Sequence, residues 1–127
     1  MILYTHLGKV GNREVPFPER TCEAFRALAR EQDAGRVLVT TTRRALDYCA
    51  LRRGLSFTAR EEAGRTVIDL VLPAGLEPDG LTFYVADPSR TELRLGGGAV
   101  QGVRANGKDH TGRPSVSIPW RRLAFPA

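Results

Sequence analysis

One change of period constrains this chain of 127 residues more than any other feature. Before Arg53 the recurring apolar residues fall at helical spacing; after Gly54 they alternate, with Leu55, Phe57 and Ala59 interleaved with Ser56, Thr58 and Arg60. A 3.6-residue period places apolar side chains along one stripe of a helix, whereas a period of 2 places them on one face of a strand. The chain is therefore expected to divide into residues 1–53, in which strands and helices alternate, and residues 54–127, built on strands.

Within the first part, residues 1–6 form a short apolar run ending in His6, as a buried parallel strand would where it leaves its sheet. Gly8, Gly11, Asn12 and Pro16 mark a loop. Pro18 suits the first turn of a helix, and Glu19 complements its positive end. Cys22, Phe25, Leu28 and Ala29 then give one apolar stripe, closed by Gly35. Residues 37–41 read as a second strand. Thr42 caps a second helix through Arg43, Leu46, Asp47 and Cys49 to Arg53-Gly54. Alternation of strand and helix implies a βαβα segment with parallel strands and a right-handed crossover.

The second part reads as an antiparallel β-sandwich. A hairpin turns at Glu62-Ala63-Gly64-Arg65, and further strands are expected at 81–85, 91–95, 100–104, 115–118 and 123–125. Gly96-Gly97-Gly98 breaks the chain, and Asn106-Gly107 is a turn signal. The expected fold class is thus α+β.

Hydrophobic residues at 42% and charged residues at 26% exclude a disordered or fibrous chain. The formal charge is +5, and Lys9 and Lys108 are the two lysines, so 17 of the 19 cations are arginine. Those arginines run from Arg13 to Arg122 without clustering, and aromatic residues at 7% do not interleave with them, which weighs against direct nucleic-acid binding. Cys22 and Cys49 match no zinc or redox spacing and are expected as buried free thiols. The opening apolar run has no basic lead-in and stops far short of the ~20 residues that cross a bilayer, so a soluble chain, cytoplasmic by default, is expected.

Few residues offer chemistry. His6 lies where a strand exit would face a ligand, although a hydrogen-bonded structural histidine fits the same place. His110, beside Asp109 in a Gly-rich turn, reads as solvated. No spacing assembles the three or more ligands of a metal site, and no cofactor is implied. Gly96-Gly97-Gly98 lacks the helix and lysine of a phosphate loop, and Glu61 and Glu62, neighbours in a strand, would point to opposite faces.

The order of Ile2-Leu3-Tyr4-Thr5-His6, a Pro-opened amphipathic helix, and Arg36-Val37-Leu38-Val39-Thr40-Thr41-Thr42-Arg43-Arg44-Ala45-Leu46-Asp47-Tyr48 resembles the closing section of polysaccharide deacetylase barrels. Gly80-Leu81-Thr82-Phe83-Tyr84-Val85 and Gly112-Arg113-Pro114-Ser115-Val116-Ser117-Ile118-Pro119-Trp120 resemble the β-rich appendage of some large bacterial members. The resemblance implies His6 as a catalytic-site residue and polysaccharide as partner. Nothing in this chain matches the family's Asp pair or its two His metal ligands, so the implied role is that of a non-catalytic C-terminal part. Barrel strands cut from their barrel also leave an uncovered edge, so self-association or an N-terminal partner domain is expected. A second reading is a stand-alone carbohydrate-binding module in which Trp120, Tyr84 and Phe83 stack on sugar rings, with a core plug as the other account of Trp120. A third is a nucleic-acid accessory protein using Arg52, Arg53, Arg121 and Arg122.

Overall fold

A computed structural model describes residues 14–121, which form an α+β fold. The chain separates into two compact units, Met1–Thr40 and Thr41–Ala127.

The first unit carries α1, Glu19–Asp33, with Pro18 at its N-cap and Glu19 in its first turn. Gly35, at φ +71°, lets the backbone curl back so that the Gly35 and Arg36 N–H groups reach carbonyls of the last turn. Phe17 packs edge-on against Phe25 of the apolar stripe, at 5.6 Å between ring centroids. No α1 residue is buried. Residues 37–41, expected as a strand, pair with no strand among the described residues; Val37, Leu38 and Val39 are exposed, Thr40 is half-buried, and Gln32 Oε1 accepts the Val39 N–H at 2.9 Å. An isolated extended segment gains no ladder bonds, and the expected partner, residues 1–6 with His6, lies outside the described residues. The parallel βαβ pairing is therefore not found among them.

The second unit begins with α2, Thr42–Gly54. Its cap is Thr41 rather than Thr42, the Thr41 hydroxyl accepting the Arg44 N–H at 3.3 Å. The face that packs inward carries Tyr48 and Leu51, with Leu55 just beyond the helix, while Leu46 and Cys49 are exposed. At about 100° per residue, Leu46 and Leu51 stand roughly 140° apart and cannot share a face. The core takes Leu51, which is 1% exposed. Cys49 is accordingly an exposed thiol and Cys22 a half-buried one, not the buried pair expected; both are free.

Gly54 is the last residue of α2, and the alternating pattern after it becomes β1, Ser56–Glu62, paired antiparallel with β2, Arg65–Val71. Ala63 and Gly64 connect them, at φ +49° and +74°; two consecutive positive φ values match the right-handed twist of a two-residue hairpin. β3 is Thr82–Tyr84, β4 Thr91–Leu95, β5 Gly98–Ala99, β6 Arg104–Asn106 and β7 Ser115–Ser117. They form a four-stranded sheet, β1-β2-β4-β5, and a three-stranded sheet, β3-β7-β6.

This arrangement departs from a purely antiparallel sandwich, because β2 and β4 pair in parallel. Parallel neighbours need a long connection, and here the chain between them crosses to the second sheet as β3 before returning. The strand expected at 100–104 does not form: β5 ends at Ala99 in the first sheet, the chain turns through Gly102 at φ +71°, and β6 starts at Arg104 in the second. The strand expected at 123–125 lies outside the described residues.

Ile68, Leu70 and Leu93 from the first sheet, Leu81, Val116 and Ile118 from the second, and Leu51 from α2 make the core. The opposite face of the first sheet is sealed differently. Arg60 pairs with Asp69 and with Glu62, and Arg94 reaches from β4 across β2 to Glu62 at 3.0 Å while also holding Glu92 at 2.6 Å. Val67 lies in β2 beneath that crossing and is 1% exposed. Aliphatic arginine stems cover it while their guanidinium groups stay paired and hydrated.

Ala63 is the one non-glycine residue at positive φ among the described residues. The left-handed region costs a side chain roughly 1–2 kcal/mol. Ala63→Gly is expected to stabilise the second unit by up to about 1 kcal/mol, read as a Tm several degrees higher in thermal unfolding by circular dichroism.

Candidate functional site

Alternation in β3 decides what the second sheet offers. Phe83 turns inward to the core, opposite Val116 of β7, and Thr82 and Tyr84 turn outward. β3 and β1 are both edge strands, and between them the two sheets stand open. The opening is a groove of about 570 Å³. The buried Ile68 and Leu81, the aromatic Phe57 and Phe83, and Arg52 and Arg113 are among the residues that line it. Phe57 meets Phe83 edge-to-face at 5.3 Å and remains 53% exposed, so its ring is available to a ligand.

Tyr84 lines the same groove and is held there by a loop. Its hydroxyl donates to Asp109 Oδ2 at 2.6 Å. Asp109 Oδ1 accepts the Thr111 N–H at 2.7 Å and the Thr111 hydroxyl at 2.6 Å, an Asx turn that folds the loop onto itself. Arg113 lies over the Tyr84 ring, 3.9 Å from its centroid. The Thr111 and Tyr84 hydroxyls hold the Asp109 carboxyl far below the usual carboxylate range. The same bond to Asp109, with burial and the carboxylate's charge adding, raises the Tyr84 phenol above its ordinary value.

Trp120 serves the fold. It packs 5.3 Å from Tyr48 and lies 4.9 Å from the Arg44 guanidinium. A Cβ on Gly80 would stand only 2.4 Å from the indole. Arg44 in turn pairs with Asp79 at 3.6 Å and donates to the Arg121 carbonyl at 2.8 Å, and Arg121 also holds Asp79 and Glu77. Of the three sugar-stacking candidates, Tyr84 and Phe83 line the groove, whereas Trp120 packs between α2 and Gly80.

His6 lies outside the described residues. His110 is exposed on the turn after Asp109, with 3.9 Å between its Nδ1 and that carboxylate. Glu61 and Glu62 bind different partners, Thr66 and the Arg60–Arg94 lattice. Among the described residues no three His, Cys, Asp or Glu side chains converge as a metal centre requires, and no helix is long and apolar enough to cross a membrane. The sequence reasoning missed Phe57, Asp109 and Arg113 as site residues. Asp109-His110-Thr111-Gly112-Arg113 did carry the signature of an Asx turn.

Two outcomes are expected. Asp109 has a depressed pKa, so its contribution to stability is complete above the ordinary carboxylate value, about 4, and is lost as pH falls through the depressed one. Tyr84 has a raised pKa, so its contribution is complete below about 10 and lost as pH rises through the raised value. In ultraviolet titration the phenolate step assigned by Tyr84→Phe is expected to move to lower pH in Asp109→Asn. Separately, Gly80→Ala combines a φ of +81° with a clash against Trp120 and is expected to cost about 2–4 kcal/mol by denaturant unfolding. In a Trp120→Ala background the cost is expected to fall to about 1–2 kcal/mol, the backbone share alone.

No protein-family model, no curated protein and no solved structure matches the chain, so its function has to be read from this geometry.

Proposed function

We propose that this chain is a carbohydrate-contacting part of a polysaccharide deacetylase-like protein, and that a glycan segment lies in the groove between β1 and β3. One observation carries the reading: an open groove of about 570 Å³ lined by Phe57 and Phe83 together with Thr66, Thr82 and Tyr84. Sugar rings present apolar C–H faces and polar edges. A binding site for them therefore needs flat aromatic surface next to hydrogen-bonding groups, and a half-exposed Phe57 supplies the first at low folding cost. The sequence resemblance supplies the polysaccharide context, and His6 remains the residue it implies for a reaction centre.

Affinity electrophoresis through gels containing a panel of neutral and acidic polysaccharides tests the proposal. At least one polysaccharide is expected to retard the protein. Phe57→Ala, at an exposed site, is expected to keep its unfolding midpoint within a few degrees and to weaken retardation by about fivefold or more. Migration unaffected by every polysaccharide would overturn the reading.

A further inference from the structure

We infer that the glycan taken by the β1–β3 groove is anionic, and that Arg52 and Arg113 read its carboxylate or sulfate groups. The inference rests on the glycan reading of the groove and names the class of sugar.

The arginines of the second unit divide by what they touch. Arg44 and Arg121 are neutralised by Asp79 and Glu77, and Arg60 and Arg94 by Glu62, Asp69 and Glu92. Arg52 and Arg113 have no ion pair among the described residues, as is also true of Arg53, Arg65, Arg90 and Arg104; what sets the first two apart is that they line the groove, with no Asp or Glu lining it beside them. Two carboxylates bond groove-lining residues, Glu61 accepting the Thr66 hydroxyl at 2.8 Å and Asp109 accepting the Tyr84 hydroxyl at 2.6 Å. The Asp109 oxygens are already occupied by Thr111 and the Tyr84 hydroxyl, and the contact of Asp109 with Arg113 is to the backbone N–H, at 3.5 Å. Two arginines without an ion pair thus border an apolar wall, an arrangement that attracts anions.

Arg113 is also positioned. Its guanidinium lies 3.9 Å from the centroid of the Tyr84 ring, and Tyr84 is anchored through Asp109. Stacking uses the face of the guanidinium and leaves its edge N–H groups to donate, which is the fork that a carboxylate or sulfate accepts in bidentate fashion. Arg52 lies in the last turn of α2, where the helix dipole already favours a cation, so it reaches the groove without an acidic partner of its own.

The experiment compares polygalacturonate, dextran sulfate, dextran and pullulan in affinity gels at low and moderate salt. Polygalacturonate or dextran sulfate is expected to retard the chain at least tenfold more strongly than dextran or pullulan, and the two acidic arms separate a carboxylate from a sulfate preference. Arg113→Ala and Arg52→Ala are each expected to remove about tenfold of that acidic retardation. Arg113→Lys, which keeps the charge and loses the stacked fork, is expected to restore less than half of the logarithmic loss. Arg53→Ala, a cation outside the groove lining, is expected to leave retardation within about twofold. Equal retardation by neutral and acidic glycans overturns this inference and leaves the glycan-binding proposal standing. A loss in Arg53→Ala as large as in Arg113→Ala overturns it as well, because the attraction would then be to net charge. Absence of retardation by all four polymers overturns both.

Discussion

The contact between two unlike apolar surfaces, one face of each sheet, closed at one end by a single leucine of α2, organises everything else in the second unit. Leu51 reaches a core that neither sheet completes alone. Burial of one such side chain is worth about 1.5–3 kcal/mol, so the seven buried apolar residues of the core supply a driving force that local strand propensity does not. That contact also explains the topology. A chain that visits the sheets alternately places strands distant in sequence side by side, which is how β2 and β4 come to run parallel with β3 between them in the chain but not in the sheet.

Closing the two sheets over Leu51 leaves their β1 and β3 edges apart. Edge strands expose unpaired backbone groups and invite association. Here the edge β1 carries Arg60, Glu61 and Glu62, charges that oppose strand addition by another chain at that end. At the other end Phe57 faces the opening. The groove is thus a by-product of the sandwich: its lining joins core residues with Phe57 and Phe83, and its charge comes from α2 and from the loop before β7.

Arginine does two jobs on this surface. On the outer face of the first sheet it is structural, as Arg60 and Arg94 flank Val67 and share the Glu62 carboxylate, with Asp69 and Glu92 as their further partners. Exposed pairs of this kind contribute little individually, and their value lies in covering an apolar residue with stems that remain solvated. At the groove the same side chain has no acidic partner. The Asx turn at Asp109 keeps that difference in place, because it holds the carboxylate on Thr111 and Tyr84, where it forms no ion pair with Arg113.

The sequence by itself determined what local chemistry controls: the helix starting at Pro18, the end of the second helix at Gly54, the hairpin at Ala63-Gly64 and the α+β class. Each depends on residues within a few positions of one another. It did not determine which face of α2 is buried, since Leu46 and Leu51 both offer an apolar stripe and only the position of the sheets chooses between them. Nor did it determine the fate of residues 37–41, whose β-branched composition is compatible with a strand but whose ladder needs a partner. For the site, Tyr84 was legible as an aromatic on a polar strand, whereas Phe57 and Arg113 were not, because 56 positions separate them and only the packing of two sheets makes them border one groove. Trp120 illustrates the same limit: an exposed platform and a latch have identical local sequence, and what separates them is the approach of Gly80, Tyr48 and Arg44 in three dimensions.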